Sequence, residues 1–211
     1  MKKPRVLIAD DHRMLLEAFQ SLLEPEFEIV AAVSNGRAAV EAGERLRPDI
    51  ALLDISMPEL NGLDAGRLLL ERCPGIRVVY MTVNEDPIVA AEAFRLGASG
   101  YLLKTAAASE LFLAVNVALE GGTHVPPTLA QEIMVALGED QSQRPSSRLS
   151  TRQREVLQLL AEGRTMKEIA GTLHITARTV AYHKYRMMQQ LGIATSAELI
   201  QYGIRNGLCS S

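Results

Sequence analysis

The feature that most constrains the fold is an alternation, repeated five times, of short apolar runs and amphipathic stretches. The apolar runs fall at 5–9, 27–33, 50–53, 76–83 and 100–103. The amphipathic stretches lie near 13–23, 36–46, 63–72, 87–96 and 107–120. Strands that alternate with helices through short connections form a parallel sheet covered by helices on both faces. We therefore predict a doubly wound α/β domain at the start of the chain.

One acidic residue closes the third apolar run. Asp54 follows the run at 50–53 and precedes a turn that contains Pro58 and the pair Asn61-Gly62. This pattern is typical of a buried strand whose carboxyl end opens into a turn. Because open parallel sheets bind ligands outside the carboxyl ends of their strands, Asp54 is a candidate functional residue. A second interpretation, in which Asp54 only caps the following helix, stays open from this stretch alone.

Polar residues also end the neighbouring strands. Asp10 and Asp11 follow the first run, and strands one and three end at the same edge of such a sheet. Clustered carboxylates repel one another unless a hard cation lies among them, so the pattern predicts a Mg²⁺ site. Thr82 and Lys104 bring a hydroxyl and a cation to the ends of the fourth and fifth strands. No Gly-x-Gly-x-x-Gly follows the first strand, which argues against a dinucleotide-binding fold.

Charge is unevenly distributed along the chain. Residues 1–120 carry 12 Lys and Arg against 18 Asp and Glu, a net charge of −6, whereas residues 144–211 carry 10 against 4, a net charge of +6. The asymmetry indicates an acidic half and a half that binds a polyanion. No apolar run approaches the ~20 residues of a membrane span and no signal peptide is visible, so we expect a cytoplasmic protein without a membrane partner. Cys73 and Cys209 lack metal-ligand and redox spacing, and we expect both to be unpaired.

The middle of the chain is predicted to be a linker. The glycines at 121 and 122 end the last helix of the first domain. Pro126 and Pro127 precede a short amphipathic helix predicted over 128–137, and residues 138–147 have almost no apolar content, which is typical of a flexible tether. We therefore predict a domain at 1–121, a linker with a short helix at 122–147 and a second domain at 148–211.

The second domain is predicted to be all-α, with four helices. Ser150 with Gln153, and Thr165 with Glu168, match the capping box, in which the cap and the third helical residue bond each other's backbone. Thr176 begins the third helix. The middle pair of helices has helix-turn-helix spacing, a pattern that also occurs in many proteins that bind no DNA.

The third of these helices has two different faces when its residues are placed at about 100° each. Val180, His183 and Met187 lie on an apolar face that we expect to pack in the core, with His183 as a hydrogen-bonded core residue. Tyrosines beside cations lie on the rest of the helix. The expected DNA contacts there are Arg178, Tyr182, Lys184, Tyr185, Arg186 and Gln189. Tyr and Gln can reach base edges in the major groove, while Lys and Arg neutralise phosphates. A solvated face with incidental aromatics is the alternative.

Residues 5–120 resemble the receiver domain of bacterial two-component response regulators, a flavodoxin-like (βα)5 fold. The residues that carry the resemblance are Asp10, Asp11, Asp54, Thr82, Tyr101 and Lys104. The resemblance implies that Asp54 accepts a phosphoryl group from a sensor histidine kinase, with Mg²⁺ as cofactor. It also implies that the metal is held by Asp10, Asp11, Asp54 and the backbone carbonyl of Ser56, with Asp10 acting through bound water. Lys104 would stabilise the phosphoryl group, Thr82 would bond it and Tyr101 would turn inward.

Four further positions qualify this interpretation. Ser56 and Asn84 lie two residues beyond site residues, and in this family such positions border the path of the hydrolytic water, so we expect them to set the lifetime of the phosphoryl group. Many receivers have proline after the lysine, but Thr105 stands here. A non-prolyl cis bond costs roughly 3–4 kcal/mol, so we expect a trans bond at this position. His12 begins a helix, and we expect it to be exposed rather than a ligand.

The segments 149–157, 167–170 and 178–183 resemble the LuxR-type DNA-binding domain, which covers residues 148–208. With the receiver in front, the chain resembles a NarL/FixJ-type response regulator. This implies a transcription factor that binds double-stranded DNA, as a homodimer at least when phosphorylated. Ala181, a further groove-facing position, stands where lysine is common, so the operator sequence does not follow from better-known members.

Other functions are not ruled out at this stage. The competing class is a phosphoryl-accepting adaptor or phosphate sink without regulated DNA binding. An enzyme is the third class. Beyond phosphotransfer onto Asp54 and its reversal by hydrolysis, the sequence offers neither a nucleophile with a paired base nor a cofactor loop, so we predict a protein that is not an enzyme.

Overall fold

The computed structural model of the chain describes residues 3–83, 85–138 and 149–205. The chain divides into two compact units, Met1–Glu139 and Asp140–Ser211. The first unit is an α/β sandwich built on a parallel sheet, and the second is helical. The fold class predicted from the sequence is therefore confirmed.

Parallel strands in the order β2-β1-β3-β4-β5 form the sheet of the first unit. The strands are β1 Arg5–Ala9, β2 Glu28–Val33, β3 Ile50–Asp54, β4 Arg77–Thr82 and β5 Gly100–Leu103. The helices are α1 Arg13–Leu23, α2 Gly36–Leu46, α3 Gly62–Arg72, α4 Pro87–Arg95, α5 Ala108–Leu119 and α6 Ala130–Gly138. Helices α1 and α5 pack on one face of the sheet, and α2, α3 and α4 pack on the other. All five residues of β3 are buried because helices cover both faces of this central strand.

The register of the central strands brings their carboxyl ends together. Ala9 at the end of β1 pairs with Leu53 in β3, so Asp10 and Asp54 both lie at the same edge of the sheet. The chain order reverses between β1 and β3, since β1 is flanked by β2 on one side and β3 on the other. Crevices at such a reversal are where open α/β sheets bind ligands.

The short helix expected within a linker packs on the first unit instead. It is α6, which packs against α4, and Ile133 in the helix and Leu129 just before it are buried in the same core cluster. The Arg95 guanidinium donates to the Ala136 carbonyl and fixes the far end of the helix. The compact first unit therefore extends well beyond the predicted boundary at residue 121. The predicted tether at 138–147 lies, apart from its first residue, outside the described residues.

Before α6, the chain runs along the free edge of β5. The His124 backbone N–H donates to the Ser99 carbonyl at 3.0 Å, and the Tyr101 N–H donates to the His124 carbonyl at 3.1 Å. The imidazole Nε2 of His124 lies 3.3 Å from Glu110 Oε1 on α5. Since edge strands expose unpaired backbone groups, this segment protects β5 from pairing with other chains.

The second unit packs its helices around a core of its own. They are α7 Thr151–Ala161, α8 Met166–Thr172, α9 Ala177–Leu191 and α10 Ser196–Arg205. The predicted capping boxes at Ser150 and Thr165 are both present, and Thr176 caps α9 by accepting from the Thr179 N–H. Helix α9 ends at Gly192, whose φ of 68° is readily adopted by glycine. Three of the sequence-predicted helix starts are thus confirmed.

The capping box of α7 gives a stability prediction. Ser150→Ala removes the acceptor of the Gln153 N–H and is expected to lower the free energy of unfolding of the second unit by about 1 kcal/mol. Native-state hydrogen exchange of the α7 amides measures this change. Ser196→Ala is the matched control, because Ser196 is an exposed residue of α10, where a change within about 0.5 kcal/mol is expected. Equal effects in the two variants would contradict the capping role.

Candidate functional site

Three predicted site residues meet at the carboxyl edge of the sheet. Lys104 Nζ lies 2.7 Å from Asp10 Oδ2 and 3.0 Å from Asp54 Oδ2. Asp10 and Asp54 are buried, and 4% of the Lys104 side chain is exposed. Because buried charges persist only when they are paired, the ammonium group is what allows two carboxylates to lie this close together.

Asp54 is held in an unfavourable electrostatic setting. Burial raises the pKa of its carboxyl group, and the charge of Asp10 adds to that rise. The ion pair with Lys104 and a hydrogen bond from the Ser56 backbone N–H lower the pKa, but burial and the Asp10 charge together outweigh them. The folded chain therefore disfavours the ionised form of Asp54, which is the form that can act as a nucleophile.

Asp11 and His12 complete the pocket on its outer side. About 34% of the Asp11 side chain is exposed, and its Oδ1 lies 2.8 Å from Nδ1 of His12. His12 is 67% exposed, as expected from the sequence, but its contact with Asp11 was not expected. The sequence places His12 directly after the acidic pair, yet adjacency in the chain does not show which way the imidazole turns.

The composition of the pocket suits a divalent cation. Asp10, Asp11, His12 and Asp54 each offer one ligand atom, and these atoms lie within 4.8 Å of one another. Three carboxylates and one ammonium leave a net charge of −2 when His12 is neutral, which a divalent ion would balance. Carboxylate oxygens are preferred ligands of hard cations such as Mg²⁺. The residues present therefore fit the cofactor that the sequence predicts.

Thr82 and Tyr101 are in contact beside this pocket. Thr82 ends β4 with 2% of its surface exposed, and Tyr101 is fully buried in β5. The Tyr101 hydroxyl is hydrogen-bonded to the Thr82 side chain. Burial, with a contribution from Asp86, raises the pKa of the Tyr101 phenol, so the hydroxyl is neutral. The inward position that the resemblance assigns to the phosphorylated form is thus already adopted here.

Three further positions of the predicted receiver site are Thr105, Ser56 and Asn84. The Lys104–Thr105 peptide bond is trans, as predicted. Backbone bonding holds this segment in place, since the Lys104 N–H donates to the Thr82 carbonyl at 2.7 Å. Ser56 is exposed next to Asp54, and Asn84 lies outside the described residues.

Most of the predicted DNA-contact residues of α9 lie at its surface. Tyr182 and Tyr185 are 55% and 62% exposed. Arg178, Arg186 and Gln189 are exposed, and Ala181 and Lys184 are half-buried. The Arg186 guanidinium donates to the Tyr182 hydroxyl at 2.9 Å, and the Lys184 ammonium lies 5.4 Å from the centre of the Tyr185 ring. Aromatic residues and arginine are enriched in binding interfaces, so the two exposed tyrosines beside cations give this face the composition of a binding surface.

The opposite face of α9 packs largely as predicted. Val180 and Met187 are fully buried in the core of the second unit. His183, which was expected to be a core residue, is only half-buried because it lies at the border between the core face and the exposed Tyr182. Burial lowers the pKa of its imidazole, so it is neutral at pH 7. Its ring contacts Tyr182 edge-on at 5.6 Å. The helix thus has a core face and an exposed aromatic and cationic face.

Comparisons with known proteins agree with both units. The family model for the response regulator receiver domain matches residues 6–116, and the model for bacterial regulatory proteins of the luxR family matches residues 147–203. The transcriptional regulatory protein DegU of Brevibacillus brevis is 33% identical over 97% of this chain and 94% of its own length. The match therefore covers both units of the chain in a single relative.

Solved structures show the same similarity. The RcsB response regulator of Salmonella typhimurium has a TM-score of 0.63 and 26% identity, with 96% of this chain and 97% of that chain covered. RcsB of Salmonella enterica serovar Typhimurium, bound to promoter rprA in the presence of the phosphomimetic BeF3−, has a TM-score of 0.60 and 25% identity, with 95% and 98% covered.

The acidic pocket on a doubly wound sheet, followed by a helix-turn-helix unit, defines a two-component response regulator with a DNA-binding output domain. The chain belongs to this family, in its NarL/FixJ-type branch, and is a transcriptional regulator rather than an enzyme of the ordinary kind.

None of the helices in the described ranges has both the length and the apolar composition needed to cross a bilayer.

Proposed function

We propose that Asp54 accepts a phosphoryl group from a sensor histidine kinase, and that this modification changes dimerisation, DNA binding or both. The observation that carries the proposal is the contact of Lys104 Nζ with Asp54 Oδ2 inside a pocket of acids. A paired lysine beside a nucleophilic carboxylate provides a positive charge where a transferred phosphoryl group would develop negative charge.

The chemistry of the pocket follows from its own side chains. An Asp54 carboxylate oxygen forms the new bond to phosphorus, and the bond from phosphorus to the kinase imidazole breaks. Lys104 then exchanges its contact with the Asp54 carboxylate for one with a phosphoryl oxygen. Asp11, Asp54 and the Ser56 carbonyl would hold Mg²⁺, and Asp10 would hold it through water; when bound, the metal neutralises charge on the phosphoryl oxygens.

Thr82 and Tyr101, which are in contact beside the pocket, would pass the effect of phosphorylation to the rest of the chain. A phosphoryl oxygen at Asp54 would accept the single Thr82 hydroxyl proton, and the Tyr101 hydroxyl, which contacts the Thr82 side chain, would then have to be the donor in that contact. Tyr101 also joins the pocket to the segment after α5, since its backbone N–H donates to the His124 carbonyl. A change at Thr82 therefore reaches, through β5, the segment that leads out of the first unit.

The DNA-binding surface is the exposed face of α9. Tyr182 and Tyr185 would contact base edges in the major groove, while Lys184 and Arg186 neutralise phosphates. Pairing of two chains on two half-sites multiplies the modest affinity of one small module. RcsB, which is similar to this chain, has been solved bound to promoter DNA in the presence of a phosphomimetic, and this supports DNA binding by the chain.

The experiment uses the full chain and measures DNA binding by the second unit with and without phosphorylation of the first. Duplexes selected by the chain from a random-sequence pool, in the presence of Mg²⁺ and acetyl phosphate, serve as the DNA. Binding is expected to tighten on phosphorylation in the wild type and to stay at the unphosphorylated level in Asp54→Asn. If the wild type takes up phosphoryl groups and its DNA binding and dimerisation both stay unchanged, the proposed regulation is wrong.

Substitutions on α9 test the DNA-binding surface. Tyr182→Ala is expected to weaken binding to the selected duplex by about tenfold, since a base contact contributes about 1–3 kcal/mol. Lys184→Ala is expected to reduce the slope of log affinity against log salt by about 1, because one phosphate contact is lost. Lys3→Ala, which removes an exposed cation of the first unit, is the control and should change neither quantity.

A further inference from the structure

His12 points toward the acidic pocket although it occupies a helix cap. It is the N-cap of α1, yet its side chain makes no capping hydrogen bond. The N-cap side chains of α2, α3 and α4 each accept a backbone N–H. Nδ1 of His12 lies 2.8 Å from Asp11 Oδ1 and 3.4 Å from Asp10 Oδ1. The imidazole is therefore placed against the carboxylates, and the proposed phosphotransfer gives it no role.

The donor set around His12 has the dimensions of a single metal site. Its ligand atom and those of Asp10, Asp11 and Asp54 lie within 4.8 Å of one another. Metal–ligand distances of roughly 2.0–2.4 Å allow opposite ligands to be about 4 to 4.8 Å apart. Since 67% of the His12 side chain is exposed, an ion that enters from solvent meets the imidazole as well as the carboxylates.

An imidazole changes which ions such a pocket prefers. Carboxylates and water suit Mg²⁺, whereas imidazole nitrogen suits later first-row ions, and affinity for mixed nitrogen and oxygen sites rises from Mn²⁺ to Co²⁺ and Ni²⁺. Mg²⁺ gains little from a nitrogen donor because it keeps oxygen ligands and several waters. The same four side chains therefore discriminate between ions of equal charge.

We propose that His12 is a metal ligand, so that the phosphoacceptor pocket binds transition ions of the Co²⁺ class in preference to Mg²⁺. The proposal rests on the metal site of the proposed function and adds a nitrogen ligand to it. Its consequence is that the ion present when Asp54 is phosphorylated depends on the supply of transition metal. A pocket of carboxylates alone would discriminate less between these ions, because its oxygen ligands suit Mg²⁺.

Isothermal titration of the full chain with CoCl₂ and with MgCl₂ measures the preference. The wild type is expected to bind Co²⁺ more tightly than Mg²⁺, and His12→Gln is expected to lower Co²⁺ affinity by about tenfold or more, the size of effect usual for changes around a metal. Its Mg²⁺ affinity should change by less than threefold. The visible absorption of bound Co²⁺ should also shift when the nitrogen ligand is lost.

His174→Asn is the matched control for Co²⁺ binding to surface imidazoles. His174 is exposed and has a φ of 52°, a conformation that asparagine accepts readily. This variant should retain the wild-type ratio of Co²⁺ to Mg²⁺ affinity. A loss of the ratio in His174→Asn would place the nitrogen ligand at His174 and overturn the assignment to His12.

Two other outcomes separate this inference from the function on which it rests. If His12→Gln weakens Co²⁺ and Mg²⁺ equally, or weakens neither, the imidazole only hydrogen-bonds Asp11 and the inference is wrong, while the Mg²⁺ site stands. If the wild type binds neither ion, both the inference and the metal site of the proposed function fail.

Discussion

Asp54→Asn is expected to abolish phosphoryl uptake and, at the same time, to stabilise the folded chain at neutral pH. An amide oxygen is not a nucleophile for phosphorus, so incorporation from acetyl phosphate should fall below detection. The stability effect follows from the pKa of Asp54, which burial raises above its usual value despite the Lys104 ion pair. An asparagine in the same position has no charge to bury.

The sign of the pH dependence follows from proton linkage. A carboxyl with a raised pKa holds its proton more tightly in the folded state than in the unfolded state, so stability falls as pH rises through the folded-state pKa. Asparagine does not titrate, so the free energy of unfolding of the variant does not fall with pH for this reason. The advantage of Asp54→Asn should therefore be present at pH 7 and shrink as the pH falls toward the pKa of the unfolded carboxyl.

Urea unfolding of both proteins at pH 7 and near pH 4, without added metal, measures this difference. Glu41→Gln, which makes the same carboxylate-to-amide change at an exposed site on α2, should leave stability unchanged within about 0.5 kcal/mol at both values. A less stable Asp54→Asn at pH 7 would show that the Lys104 ion pair outweighs the cost of burying the carboxylate. Phosphoryl incorporation in the variant would place the acceptor elsewhere.

The sheet and its pocket could be predicted because burial leaves a direct mark on the sequence. A strand covered on both faces must be apolar throughout, and Ile50 to Leu53 satisfy that condition before the acid at position 54. Parallel pairing then fixes which strand ends meet. Asp10 and Asp54 are far apart in the chain, yet strand order brings them to the same edge of the sheet. Lys104 follows β5, and its long side chain places Nζ 2.7 Å from Asp10 and 3.0 Å from Asp54.

The features that the sequence did not predict are the direction in which a single side chain points and the surface on which a helix packs. Ile133 and Ala136 are three residues apart, a spacing that predicts one buried face of α6 but not that α4 covers it. His12 was expected at a helix start, where the cap geometry leaves the imidazole free to turn either way. His124 gives no sequence signal, because its contact with β5 uses backbone groups that every residue has.

Gly62→Ala is expected to destabilise the first unit by about 2 kcal/mol or more. Gly62 begins α3 immediately after the turn that follows β3, and a Cβ atom there would lie 2.0 Å from the Asp54 carbonyl oxygen and 2.9 Å from the Ile55 Cα. Both are backbone atoms and cannot rotate away. Overpacking of this kind costs typically 1–3 kcal/mol, occasionally more. The gain of helix propensity from glycine to alanine, about 0.5–1 kcal/mol, is smaller.

Gly171→Ala separates the steric effect from the effect of alanine itself. Gly171 lies inside α8, and a Cβ atom there would have no heavy atom within 4 Å, so this variant should stabilise the second unit by about 0.5–1 kcal/mol. Hydrogen exchange in each unit of the full chain measures the two changes, which should have opposite signs. Because the Gly62 clash acts on the Asp54 backbone, phosphoryl uptake should slow together with the loss of stability. An unchanged rate would mean that α3 moves away from the pocket and leaves Asp54 in place.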